Sequence, residues 1–191
     1  MSLAIIPKDD ENRIGMVLER GVVTIDSIHA AIHRGRAFDV SVVDLALPND
    51  GTSDLLIQAP GADIRAQFLI SGGCGGDARG EIFEAPTYSA AGAAVPAYHR
   101  CRCAVGLSTL QSTVTGNPTV TDTGTKIYDT IIYGGSGGNA VGGTGGLSLE
   151  FGLAADTDYL IRLTNISGQV HIANMNMLIY ELDTDEYPVP N

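Results

Sequence analysis

No tryptophan occurs among the 191 residues, and only four phenylalanines and seven tyrosines supply aromatic bulk. A core for a chain of this length must therefore be aliphatic, resting on Ile, Val, Leu and Ala. The same absence weighs against a glycosidase, which would lack an indole to stack on a sugar ring. Cysteine is also scarce. Cys74, Cys101 and Cys103 make an odd set with no secretory signal ahead of them, which does not describe a disulfide framework, so reduced thiols are expected. Basic residues number 11 against 22 acidic ones, a net charge of −11. That balance opposes attraction to phosphate backbones and anionic lipid, so neither nucleic acid nor membrane is an expected partner. No apolar run approaches the roughly 18 residues of a membrane helix, and the first ten residues lack a basic leader, so a soluble protein made in the cytoplasm is expected.

Glycine, by contrast, is abundant: 24 residues, above the usual share of about 7%. With frequent Thr, Val and Ile it points to an all-β chain with many turns. The strongest pattern lies in Leu147–Glu181. Leu147, Leu149, Phe151 and Leu153 alternate with small or polar residues, as do Tyr159, Ile161 and Leu163, so each run reads as a half-buried strand. Asn165-Ile166-Ser167-Gly168 then reads as a turn whose glycine takes positive φ, predicting a hairpin into the next strand. That strand, Gln169 to Glu181, changes phase. Val170 and Ile172 lie on one face, and Ala173, Met175, Met177 and Ile179 on the other, which calls for a bulge or for burial on both sides near its end.

Upstream, residues 1–20 show little sustained period and read as an N-terminal arm. Val22-Val23-Thr24-Ile25 opens a β domain over residues 21–182, and the acidic stretch 183–191 forms a tail. The segment Ile28–Phe38 fits either a helix ended by Gly35 or a strand bent there, and the clean alternation of Phe38 to Val42 favours strand. Further strands are expected at Asp54–Ile57, Ile64–Ile70, Glu81–Glu84, Val105–Leu110 and around Ile127, Ile131 and Tyr133, with a strong turn at Pro48-Asn49-Asp50-Gly51. Residues 85–100, rich in Ala, Pro and Tyr, read as an irregular surface excursion. Residues 134–146 carry eight glycines in thirteen positions and read as a long loop. Short strands with turns near every ten residues define the expected class: an all-β jelly roll or related antiparallel β-sandwich, with an N-terminal arm and long glycine-rich loops.

The chemistry-bearing residues form no convincing site. His29 and His33 would share a helix face, but positions 30 and 31 are alanine, so no HExxH motif exists, and no HxH pair supports a cupin centre. His99, Cys101 and Cys103 alternate, with Cys74 a conceivable fourth ligand, yet the paired CxxC knuckles of a zinc ribbon are absent. The glycine-rich loop lacks the Gly-Lys-Ser/Thr of a phosphate cradle. No G-x-S-x-G elbow is present, and the acidic pairs Glu81/Glu84 and Asp156/Asp158 read as solvated loop charges. No catalytic residue, cofactor or metal is expected, and the protein is not expected to be an enzyme.

Several segments, taken together and in order, resemble a group of small tailed-phage proteins. They are Ile32-His33-Arg34-Gly35-Arg36-Ala37-Phe38, then Ile82-Phe83-Glu84-Ala85-Pro86-Thr87-Tyr88-Ser89-Ala90-Ala91-Gly92, then Asp156–Asn165, then Ile179-Tyr180-Glu181. The resemblance covers roughly residues 28 to 181. It implies a virion protein on the capsid exterior, made in the host cytoplasm: a capsid cement or decoration protein with a jelly-roll core. Its implied partner is the major capsid protein, and it implies a small homo-oligomer; the glycine-rich loops and the arm, which suit assembly around a symmetry axis, favour a trimer over a dimer. A receptor- or glycan-binding jelly-roll module of a phage tail or fibre is the alternative. The chain departs from the group in its longer arm and in Asp156 where Asn is usual.

Overall fold

The computed structural model describes residues 4–6, 14–18, 21–25, 27–102, 107–134 and 149–184, with the backbone alone for the first three segments, Ser27 and Leu149. In chain order the elements are β1 (Ala4–Ile6), β2 (Ile14–Leu18), β3 (Gly21–Ile25), α1 (Ser27–His33), β4 (Ala37–Leu47), β5 (Thr52–Gln58), β6 (Ile64–Cys74) and β7 (Ala78–Glu84). Then follow β8 (Thr87–Ala90), β9 (Ala93–Ala94), β10 (Ala97–His99), β11 (Thr113–Gly116) and β12 (Thr119–Asp122). The last four are β13 (Thr125–Ile132), β14 (Leu149–Gly152), β15 (Asp158–Asn165) and β16 (His171–Asp183).

Two antiparallel sheets face each other. One has the order β10-β4-β16-β6-β14 and the other β13-β7-β15-β5-β11-β9. Alternation decides what lies between them. Val40, Phe68, Ile70, Met175, Met177 and Ile179 of the five-stranded sheet pack with Leu55, Ile57, Ile82, Tyr159, Ile161 and Leu163 of the six-stranded one. Each such aliphatic side chain gains roughly 1.5–3 kcal/mol on burial. The protein is thus an all-β sandwich with the aliphatic core its composition demands.

From β4 to β7 the chain changes sheet at every connection, and from β13 to β16 it does so again. This corrects the hairpin expected at Asn165–Gly168. β15 pairs with β5 and β7, while β16 pairs with β4 and β6, so the turn carries the chain across the sandwich. Gly168 does take φ of 83°, and the turn is held by Asn165, which is fully buried. Its Nδ2 donates to the Leu47 and Gln169 carbonyls, and its Oδ1 accepts from the Ser167 amide and hydroxyl. All polar atoms of this side chain are therefore satisfied, as burial requires. The same residue exchanges backbone bonds with the β4–β5 turn, Asp50 N–H to Asn165 O and Asn165 N–H to Gly51 O. Asp50, with φ of 58°, rather than Gly51, adopts the left-handed conformation there.

β16 behaves as its phase change requires. Its register against β4 shifts between His171 and Ala173, and residues from Met177 to Leu182 are buried on both sides. The second burial comes from α1, a helix where strand alternation favoured a strand. Ala31, Ala37, Leu178, Tyr180 and Leu182 form a cluster flanked by Ile28, Ile32 and Leu69. The i, i+3, i+4 spacing of Ile28, Ala31 and Ile32 gives the helix its apolar stripe. Its end is a Schellman turn: Arg36 N–H to Ala31 O and Gly35 N–H to Ile32 O, with Gly35 at φ of 69°.

Of the expected arm, β1 and β2 are described, and they pair in an antiparallel sheet that β3 completes. β3 therefore joins these strands rather than the sandwich. The excursion at 85–100 is more ordered than its composition suggests. β8 pairs with β12, β9 with β11 and β10 with β4, each too short to carry a period but held by distant partners. At the expected Val105–Leu110 strand, residues 107–110 are irregular and 105–106 lie outside the described residues, as do 135–148 of the glycine-rich segment and 185–191 of the tail. Asp183 closes β16 and pairs with Arg36 at 2.5 Å. No helix among the described residues is long and apolar enough to cross a membrane.

Candidate functional site

Register places the outward side chains of the five-stranded sheet in rows. From the edge of the part that α1 covers, Asp39, Leu178 and Leu69 form one row, Ser41, Asn176 and Ser71 the next, and Val43, Asn174 and Gly73 the third. The first two rows, with Arg100, line a groove of about 510 Å³. Arg100 reaches it because its amide bonds the Ala37 carbonyl, which sets its Nε 3.2 Å from Asp39 Oδ2. Tyr98, opposite Asp39 on β10, is 59% exposed on the same face. Past the groove the face turns apolar. Val43 is 58% exposed, Leu45 74%, and Ile172 at the β16 bulge 58%. Nothing in the described chain covers them. The groove offers hydroxyls, a carboxamide and an ion pair to a polar ligand, and the apolar end offers area to a protein surface.

The outer face of the six-stranded sheet is built differently. Leu56, Leu160 and Phe83 lie in register and are buried, and the next row is Asp54, Arg162, Glu81 and Asp129. Arg162 grips Asp54 with two bonds, Nε to Oδ1 at 2.9 Å and Nη2 to Oδ2 at 2.7 Å. The first of these bonded partners, Asp54, holds the Arg162 pKa above its ordinary value. Lys126 Nζ lies 2.6 Å from Glu81 Oε1 and 3.1 Å from Asp129 Oδ2, and Arg79 bonds Asp129. These cations push the Asp129 carboxyl well below its usual range, the Arg79 hydrogen bond first. Tyr88 donates to Asp158 at 2.7 Å and accepts from Gln58 at 2.9 Å, which ties the β8–β12 ribbon over this face. The Asp158 bond raises the Tyr88 phenol.

The residues weighed from sequence fall as follows. His29 and His33 come together, with Nε2 atoms 2.9 Å apart. His99 pairs with Phe38, whose partner is Ile179, whereas Cys74 pairs with Ala173. Six strand positions at roughly 3.3 Å separate them by about 20 Å, so Cys74 cannot complete a set with His99. Cys101 is buried and Cys103 lies outside the described residues. Among the described residues no three His, Cys, Asp or Glu side chains gather around a common point. Glu81 faces the outer ladder while Glu84 accepts from the Tyr159 hydroxyl at 2.8 Å, so that acidic pair is divided. Asp156 is an exposed turn residue with φ of 54°, and Asp158 is tied to Tyr88.

The segments that carry the phage resemblance prove to be structural pins. Besides Asn165, the buried Tyr180 hydroxyl bonds Gln67 and Glu150. Glu181, 4% exposed, accepts from the amides of Gln111 and Ser112 and from the Ser112 hydroxyl at 2.7–2.8 Å, fastening the approach to β11 against β16. The groove residues were not singled out by motif, since Asp39, Ser41 and Asn176 are distant in sequence. The available signal was their alternation with apolar neighbours. Compared with known protein families, curated proteins and solved structures, the chain matches none.

Proposed function

We propose that this is a non-enzymatic structural protein of a phage virion, a cement or decoration protein that binds the major capsid protein on the outside of the head and stabilises it. The observation that carries the reading is the open outer face of the five-stranded sheet. Val43, Leu45 and Ile172 stand more than half exposed on a strand-built, well-pinned surface. Apolar side chains grouped on one face mark a protein contact. Two further points support it. The eight principal strands, β4–β7 and β13–β16, run in the orders β4-β16-β6-β14 and β5-β15-β7-β13, which supports reading the sandwich as a jelly roll of two Greek keys. The pins at Asn165, Tyr180 and Glu181 lie in the segments that resemble phage proteins. A homo-oligomer, a trimer in preference to a dimer, fits a protein that bridges symmetric capsomers.

The test adds purified protein to capsids that lack it. Saturable binding and a higher capsid-opening temperature are expected, and both are expected to vanish for the folded Leu45→Ser/Ile172→Thr variant. Absence of both with the unaltered protein overturns the reading. The groove favours one alternative, a glycan- or receptor-binding module of a tail or fibre, because Asp39, Ser41, Asn176 and Arg100 beside exposed Tyr98 suit a hydroxyl-rich ligand. Glycan binding lost in Asp39→Ala and Asn176→Ala, with the protein imaged at the tail, would select it.

A further inference from the structure

His29 and His33 match no metal motif in sequence, because positions 30 and 31 are alanine and supply no HExxH glutamate. The helix changes their geometry. Four residues apart on α1, they are neighbours on one face, both exposed, with ring centroids 4.8 Å apart and planes 20° apart. The Nε2 atoms approach to 2.9 Å. Two acceptor nitrogens do not face each other at that distance, so the contact is an N–H···N hydrogen bond in which one ring donates and the other accepts.

A metal ion fits the same spacing. Two metal–nitrogen bonds of about 2.0–2.1 Å at a right angle place the nitrogens about 2.9 Å apart, whereas a tetrahedral angle places them about 3.3 Å apart. The observed separation is within reach of two imidazoles on one ion, and affinity for imidazole among divalent first-row metals peaks at Cu²⁺. Both lone pairs can be aimed at one point by turning the rings about χ2, a broad torsion for histidine. The electrostatic setting agrees. His33 is in the last turn of α1, where carbonyl ends favour positive charge, and the protein carries a net charge of −11.

We propose that α1 carries a surface site for a divalent transition metal, Cu²⁺ in preference to Ni²⁺, chelated by Nε2 of His29 and Nε2 of His33. The remaining coordination positions are filled by water. Because α1 lies over Leu178, Tyr180 and Leu182, the metal clasps the last helical turn to the preceding one and steadies the cover of that sheet. The ligands must be neutral, so acid releases the ion as the imidazoles take up protons.

The experiment titrates CuCl₂ into the full chain at pH 7.5, following binding by calorimetry and by the copper electron paramagnetic resonance spectrum. His29→Ala, His33→Ala and the double variant are run beside it. Both side chains are exposed, and circular dichroism confirms that each variant is folded. The double variant retains His99, His171 and the α-amino group, and so supplies the background. The expected result is one equivalent of Cu²⁺ bound above that background, two nitrogen couplings in the spectrum, at least tenfold weaker binding in each single variant, and release at pH 5. Copper uptake equal to that of the double variant, or a loss under tenfold in either single variant, overturns the proposal and leaves an N–H···N hydrogen bond between the rings.

Discussion

Leu56, Leu160 and Phe83 form one outward row on the six-stranded sheet and are 0%, 0% and 6% exposed. Val43, in the corresponding outward position of the five-stranded sheet, is 58% exposed. Both sheets line the same core, and both alternate inward and outward side chains. The difference is in what the chain lays over them. The β8–β12 ribbon, tied by Tyr88, and a ladder of paired charges close the first face. On the second, among the described residues, α1 closes the part above Tyr180 and Leu182 and leaves Val43, Leu45 and Ile172 exposed. A sandwich that covers one outer face and leaves half of the other bare holds its own shape without that half, which is then available to a partner.

The sharpest way to break the covered face is Arg162→Met. Asp54 is 5% exposed, and removing the guanidinium leaves its carboxylate buried without its ion-pair partner, whereas Glu81 keeps Lys126. Breaking such a pair from one side costs roughly 3–5 kcal/mol. The loss is expected as a lower denaturation midpoint in urea. Asp54→Leu/Arg162→Met, which removes the stranded charge, is expected to recover most of it.

On the five-stranded sheet the corresponding break is Leu182→Ala, under α1. The side chain is 1% exposed, and its truncation is expected to cost roughly 2–4 kcal/mol by the same urea measurement. If the loss were below about 1 kcal/mol, α1 would be a loose cover and the comparison would fail.

These two rows also show what the sequence makes legible. Alternation in β6, β15 and β16 reads directly as strand, because a period of two sorts side chains whichever sheet the strand joins. The choice of sheet is not local. Nothing between Tyr159 and Ile179 distinguishes a hairpin from a crossing. The outcome depends on β4, β5, β6 and β7, which are roughly a hundred residues away. The burial of Leu160 and Leu56 on the outer face was hidden for the same reason, since no local pattern marks it. Ile28–His33 satisfied two periods at once, and only the apolar backs of Leu178, Tyr180 and Leu182 select the helix. Of the open face, the polar rows were visible as Asn174-Met175-Asn176-Met177, but their assembly with Ser41 and Ser71 required the register.

Two pH limbs sharpen the contrast, because the charge ladder belongs to one face alone. Asp129 is held below its ordinary value of 3.8 by Arg79 and then Lys126. A depressed carboxyl stabilises the fold fully above the unfolded value and loses that contribution as the pH falls below it toward the folded one. Asp129→Asn is therefore expected to flatten the acid limb of thermal stability below about pH 4 while changing little at pH 7, where solvent screens the pair. At the other extreme, burial raises the Tyr159 phenol above 10.0, so its contribution is whole below pH 10 and fades as the pH climbs through the raised value. Spectrophotometric titration at 295 nm, compared with Tyr159→Phe, should place this phenol among the last to ionise.

The smallest effect on stability is expected where the bare face is altered. Leu45→Ser and Ile172→Thr remove apolar surface that is already 74% and 58% exposed, so each should shift the unfolding free energy by no more than about 0.5 kcal/mol. A shift near 2 kcal/mol would mean that these residues are packed within the protein itself, and the division between a closed and an open face would collapse. With stability unchanged, any loss of capsid binding in the same variants belongs to the surface and not to the fold. Arg162→Met gives the opposite control, because its large cost falls on the covered face, away from Leu45 and Ile172.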